Sequence, residues 1–433
     1  MYSLLQCKDT QNINEILPIN MFLTKEKLQE VVDTYGTPTY LYDEQTIREK
    51  CLNLRNLFTD LPVKWLYAIK ANDNPYILEV VHSEGFGFDT VSFEEVLLSR
   101  HFQKNPRDIF YTENNMTDEE MEQAINEGVI LNIGSYSRLE SYCKHPKTES
   151  CSIRIKPDIG DGHHKKVDTG NKDSKFGIRI DLIDDCLKLA KKYDVKITGL
   201  HVHIGSGIKE PQNFVAAMKK LLELSYKFPD LEMLNFGGGI PIPYKEGEKE
   251  FSLPDFKKQV FPILNADLEK RDHKITYYFE PGRYVVGEGG ILLTKVNTVK
   301  DQGRKIFLGT DTGFNHLLRP ALYNAYHKVV NVDRMDEPAN VTYTVSGNIC
   351  ESGDVLAEDR LLPESKEGDI LALTEAGAYG MTMASHYNRR ALPAEVLHTQ
   401  DGEFKLIRLR VSAEETVQRF FEDVGYKPTL KMG

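Results

Sequence analysis

Eight short apolar or β-branched runs recur along the first two thirds of this chain, and each leads into a segment with helical spacing. The runs are WLYAIKAN, GFGFDTVS, DIFYTEN, VILNIGS, CSIRIKP, ITGLHVHIGS, LEMLNFGGG and ITYYFEPGR. Between them lie segments such as NPYILEVVHSE, FEEVLLSRHFQ, DEEMEQAINE and DFKKQVFPILNADLEK. Near-continuous apolar strands separated by amphipathic helices are what a parallel sheet covered by helices requires. Eight such units predict an α/β fold, a closed (β/α)8 barrel over residues 44–288, whose chemistry gathers at the C-terminal ends of its strands.

Past Arg283 the pattern changes. ILLTKVNTVKDQGRKIFLGTD, VTYTVSGNIC, GDILALTEAGAYG and AEVLHTQDGEFKLIRLR are strand-rich, and the KDQGRK and TQDGEF turns predict hairpins. We expect a mostly antiparallel β domain from residues 289–433, joined by residues 1–43 through the strand-like TPTYLYDE.

Composition narrows the function. A net charge of −11 over 433 residues argues against non-specific nucleic-acid binding, and His163-His164-Lys165-Lys166 is too short a basic run to supply it locally. The opening MYSLLQCKDTQNINE lacks a basic start with a long apolar core. No apolar span of about 20 residues follows, so we expect a cytoplasmic protein without a membrane segment. Cys7, Cys51, Cys143, Cys151, Cys186 and Cys350 show no metal-ligand spacing, and no metal site is expected.

Lys70, Asp89, His203, the Gly237-Gly238-Gly239 run and Glu280-Pro281-Gly282-Arg283 all fall where strands become loops. A lysine leaving a core is costly as an ammonium and is easily relieved by losing its proton, which makes it a nucleophile. Three glycines let backbone N–H groups approach an anion, and the seventh and eighth strand ends of such barrels often hold phosphate. Lysine and phosphate cradle together point to a phosphorylated aldehyde held as a Schiff base, pyridoxal 5′-phosphate. Glu280 is then suited to the pyridine nitrogen, His203 to the ring face and Ser206 to the phosphate.

YAIKAN, HVHIGSG, FGGGI, EPGR, RPALYNAYH, CESGD and GAYGMTMASHYN follow one another in an order that resembles the fold-type III pyridoxal-phosphate decarboxylases. The likeness implies the alanine-racemase-like arrangement of barrel plus β domain, and a homodimer whose active sites are shared between chains. It makes Lys70 the Schiff-base lysine, with His203 a further catalytic group. Asp89, Gly282, Arg283 and Tyr379 join the glycines, Ser206 and Glu280 around the cofactor. In that pattern Cys350 donates the proton that replaces carbon dioxide, and Glu351 grips the distal ammonium of substrate in the partner's site. The chain departs from the family at SFEE (Ser92 to Glu95) and at Gly207, where glutamine is usual.

Charge types then suggest a substrate, because each unpaired buried charge is expensive. Arg283, Arg319 and Tyr323 suit a distal carboxylate and Glu351 a distal ammonium, with Tyr379 beside them. The expected activity is decarboxylation of meso-2,6-diaminopimelate to L-lysine. The alternative is a related decarboxylase of the carboxynorspermidine, ornithine or arginine type.

Overall fold

The computed structural model describes residues 21–159, 169–170, 174–208 and 211–427. Cys7, the opening stretch and His163-His164-Lys165-Lys166 lie outside them. Eight parallel strands form a closed ring: Val63–Ala68, Gly87–Thr90, Ile109–Thr112, Ile130–Ile133, Ser150–Lys156, Lys196–His201, Met233–Asn235 and Thr276–Phe279. Closure pairs the eighth strand with the first, Tyr277 opposite Val63 and Phe279 opposite Trp65. The seam is filled with aromatic area: Trp65 and Phe279 stack at 5.0 Å, and Phe58 stacks on Phe279 at 5.7 Å.

The helices form where their end signals stand. Helix Asp118–Glu127 starts at Thr117, whose hydroxyl accepts from the Glu120 N–H while the Glu120 carboxylate accepts from the Thr117 N–H. It stops at Gly128, whose φ of 70° ends the turn without a Cβ clash. Ser92, Ser135 and Ser252 cap three further barrel helices, each hydroxyl accepting from the N–H three residues on.

The second sheet is mostly antiparallel. Its long hairpin, Gly290–Asp301 with Ile306–Thr310, and its last, Ala394–His398 with Phe404–Arg408, stand where the turns were expected. Thr39–Asp43 enters it, antiparallel to Gly290–Asp301 and parallel to Ala394–His398. All five residues of that strand are buried: Tyr40 and Tyr42 face the core shared with the barrel, and Leu41 faces a second core under helix Lys25–Tyr35. Strand alternation thus joins two cores through one short segment.

Two strands of this sheet, Val329–Asn331 and Val355–Leu362, were not expected. The first is only three residues long. The second lies at the sheet edge and carries Glu358, Asp359 and Arg360, charges that discourage further strand pairing and also erase the apolar pattern.

The β domain also grips the turn that follows the first barrel strand. The Tyr379 N–H donates to the Ala71 carbonyl at 2.7 Å, and Asn72 Nδ2 donates to the Gly377 carbonyl at 3.1 Å. Asn74 Nδ2 donates at 3.0 Å to Glu395, a buried carboxylate that also accepts from Tyr42 and Arg408.

Candidate active site

A cavity of about 290 Å³ opens at the C-terminal ends of the barrel strands, lined by Lys70, Asp89, His203, Ser206, Gly239, Glu280, Gly282, Arg283 and Tyr379. Those nine residues come from strand ends and from the β domain, as strand position in the sequence led us to expect for the barrel members.

Lys70 lies in a short 3-10 turn, Ile69–Ala71, directly after the first strand. Its Nζ donates to Asp89 Oδ2 at 2.5 Å. Burial pulls the Lys70 ammonium down, but Asp89, Tyr379 and Glu280 together hold it well above the ordinary lysine value. Asp89 is buried, which with Glu280 nearby pushes its carboxyl up to about 6 against the pull of Lys70. Its other oxygen, Oδ1, has no hydrogen-bond partner among the described residues.

Glu280 follows the eighth strand and is also raised by burial, with Lys70, Arg154 and Asn235 opposing. Asn235 Nδ2 donates to Glu280 Oε1 at 2.7 Å, and Asn235 Oδ1 accepts from the Gly237 N–H at 2.9 Å. One amide thus fixes both the carboxylate and the start of the glycine run. His201 Nε2 lies 3.3 Å from Glu280 Oε2 and has no other partner among the described residues, while its Nδ1 meets Asn132 Nδ2 at 2.8 Å. The Gly238 N–H donates to His203 Nδ1 at 3.1 Å. Burial, Arg154 and Lys70 keep His203 neutral well below its ordinary value, so its proton sits on Nε2.

The glycines are required by closeness. A Cβ on Gly238 would stand 2.0 Å from the Glu280 carbonyl oxygen, and one on Gly239, whose φ is 115°, would stand 2.5 Å from Ile208. Arg283 Nη2 donates to Ser206 Oγ at 3.2 Å, and its buried Nε has no hydrogen-bond partner among the described residues. The Gly237 and Gly238 N–H groups are engaged by Asn235 and His203, and Gly239 is the member of the run that lines the cavity. An amine, a buried carboxylate, a close-packed glycine run and a serine–arginine pair are the set that an aldehyde, a pyridine nitrogen and a phosphate require. The residues fit pyridoxal phosphate.

A larger recess of about 1070 Å³ adjoins the cavity, shares Arg283 with it, and is lined by Arg319, Tyr323 and Tyr244. Cys350 and Glu351 line neither space. Both are exposed; the Cys350 N–H donates to Asn388 Oδ1 at 3.0 Å and Glu351 accepts from the Tyr387 hydroxyl at 2.7 Å. Asp354 holds their loop by accepting from the Phe314 and Ile349 N–H groups at 2.6 and 2.7 Å.

Sequence reasoning missed Arg154, His201, Asn235, Tyr244 and His327. A polar residue inside an apolar strand marked the first three: Arg154 in SIRIK, His201 in GLHVH and Asn235 in MLNF. His327 closes the RPALYNAYH motif, which was read only for Arg319 and Tyr323, and nothing local marked Tyr244. Among the described residues no group of three or more His, Cys, Asp and Glu could hold a metal, and no helix is long and apolar enough to cross a membrane.

Comparison with known proteins agrees with this geometry. The family described as "Pyridoxal-dependent decarboxylase, pyridoxal binding domain" matches residues 44–287. The diaminopimelate decarboxylase of Methanothermobacter thermautotrophicus is 38% identical, covering 88% of this chain and 91% of that protein. That of Aquifex aeolicus is 36% identical, covering 92% and 95%. The structure of diaminopimelate decarboxylase from Helicobacter pylori, complexed with L-lysine, superposes with a TM-score of 0.83 at 30% identity, covering 92% of this chain and 100% of that one. By barrel, cavity and similarity along nearly its whole length, the chain belongs to the diaminopimelate decarboxylase family of pyridoxal-dependent decarboxylases.

Proposed function

We propose that the protein uses pyridoxal 5′-phosphate to decarboxylate meso-2,6-diaminopimelate, releasing carbon dioxide and L-lysine. One observation carries the choice of substrate: Arg283 and Arg319 are 6% and 1% exposed, and among the described residues neither has a carboxylate within ion-pair distance. Two buried cations without an anion await one from a ligand. The cofactor phosphate can meet Arg283 but not Arg319, which lines only the larger recess, so an ornithine- or lysine-type substrate would leave Arg319 unmatched.

When bound, the cofactor supplies a carbonyl carbon for an amine and a pyridinium ring that draws electron density from the bond being cleaved. Lys70 would hold it, and Asp89 keeps that amine protonated when it is free. Glu280, its carboxylate oriented by Asn235, would meet the ring nitrogen. His203, fixed by Gly238, would lie against the ring, while Gly237, Gly238, Gly239, Gly282, Ser206 and Arg283 would receive the phosphate. Arg319, Tyr323, Arg283 and Tyr379 position the substrate.

Cys350 holds the proton that replaces carbon dioxide, and Glu351 faces the distal ammonium, each reaching the cavity of the partner chain in a homodimer. Their exposure on their own chain supports that reading. We place the domain boundaries after residues 43 and 288. We assign the protein to the cytoplasm, where four buried free thiols and the exposed thiol of Cys350 remain reduced.

The test is carbon dioxide release from meso-diaminopimelate and from L-ornithine, which has no second carboxylate. Arg319→Met is expected to lower kcat/KM for diaminopimelate by roughly two to four orders of magnitude, the cost of breaking a buried charge pair. The residual activity on ornithine stays within a few-fold. An equal loss on both substrates assigns Arg319 to the cofactor or the fold instead.

A further inference from the structure

Between the two anion-free arginines stands a phenol. Arg283 donates through Nη1 to the Tyr244 hydroxyl, and the centroid of the Tyr244 ring lies 4.6 Å from the Arg319 guanidinium carbon and 5.7 Å from that of Arg283. On its far side Arg319 Nη1 donates to His327 Nε2 at 2.8 Å. His327 Nδ1 meets the Thr374 carbonyl at 2.8 Å, which puts the ring's single proton there and leaves the imidazole neutral. Both partners are therefore uncharged: each satisfies a hydrogen bond, and the Tyr244 ring lies against the guanidiniums, but neither neutralises anything.

We propose that the Tyr244 hydroxyl is a placeholder for the distal carboxylate, occupying its position against Arg283 in the free enzyme and yielding it when a ligand carrying that carboxylate binds. This rests on the reading of Arg283 and Arg319 as the carboxylate receptors. Tyr244 is built for such an exchange. It follows Pro241 and Pro243, it is only partly buried, and residues 245–250 beyond it are all exposed. The turn is tied mainly to itself, its Tyr244 and Lys245 N–H groups donating to Glu248 Oε2 at 2.7 and 3.0 Å, and its outward ties are peripheral: Lys245 over the Tyr326 ring at 5.7 Å and Glu246 to Lys328 at 4.0 Å. A carboxylate brings the charge that the phenol lacks and displaces it. A diamine without a carboxylate has nothing to offer the arginines and leaves the phenol in place. Tyr244 thereby acts as a specificity-determining residue, lowering the affinity of every ligand that must compete with it.

The test compares two ligands of the holoenzyme that differ by one group: L-lysine, the product, which retains the distal carboxylate, and cadaverine, the same diamine without it. Tyr244→Phe keeps the ring and removes the competing hydroxyl. We expect L-lysine to bind roughly tenfold more tightly, the loss of one hydrogen bond to a charged group, and cadaverine to be unchanged. Weaker lysine binding, unchanged lysine binding, or an equal shift for both ligands overturns the proposal. Arg319→Met, measured beside it, tests the underlying reading separately: a lysine-to-cadaverine affinity ratio unaltered in that variant overturns the assignment of the arginines, whatever Tyr244→Phe does.

Discussion

Lys70 Nζ and Asp89 Oδ2 stand 2.5 Å apart at the ends of adjacent barrel strands, so the amine that must act as a nucleophile is stored as an ammonium. Asp89→Asn removes the anion that holds Lys70 up, and burial, the largest influence on it, then lowers its pKa. More neutral amine is present near pH 7. The rate at which cofactor-free enzyme captures pyridoxal phosphate, followed by its visible absorbance, should therefore rise at neutral pH and its profile shift to lower pH. An unshifted profile means Asp89 does not govern the lysine. Lys70→Ala should form no borohydride-fixed adduct at all.

Cys350 and Glu351 are exposed on their own chain and absent from its cavity. Inactive Lys70→Ala and Cys350→Ala chains, mixed, should regain a fraction of wild-type activity in heterodimers, because one of the two sites then receives both groups. Tagged heterodimers that stay inactive would show that each chain completes its own site.

Acid should unfold the protein steeply. His201, His316 and His327 are buried; burial lowers His201 well below its ordinary value, His316 to about 4 and His327 to about 3. The unfolded chain takes up these protons near pH 6.5 and the folded chain does not, so stability is present above about pH 6.5 and lost as the pH falls below it. Each histidine contributes about 1.4 kcal/mol per pH unit to that slope. Urea unfolding of His316→Gln between pH 4.5 and 7.5 should show the slope reduced by about one proton.

Gly238→Ala forces a methyl group to within 2.0 Å of the Glu280 carbonyl oxygen unless the backbone moves. The shift should cost about 1 to 3 kcal/mol in denaturant unfolding and should weaken cofactor binding as the cradle opens. Unchanged cofactor affinity would place the phosphate elsewhere.

The barrel was legible because its strands are largely buried and most of its helices carry an N-terminal cap, so periodicity and end signals agree. The lining of the cavity was legible for the same reason: Lys70, Asp89, His203 and Glu280 follow apolar runs. Three kinds of feature were hidden. Asn235 and His201 act on Glu280 from within strands, where a polar residue is discounted. The Val355–Leu362 strand carries edge charges that mask its pattern. Tyr244 meets Arg319 and His327 only through tertiary packing of its loop against the β domain, for which no spacing along the chain is a guide.

The hydrogen bonds from Tyr379, Asn72 and Asn74 that clasp the Lys70 turn to the β domain tie residue 70 to residues 377, 379 and 395. During synthesis the ribosome must therefore complete nine tenths of the polypeptide before the turn can take its final shape. The reactive amine is finished only when its surroundings are, and a nascent chain carries no assembled site at which free aldehyde in the cell could be captured.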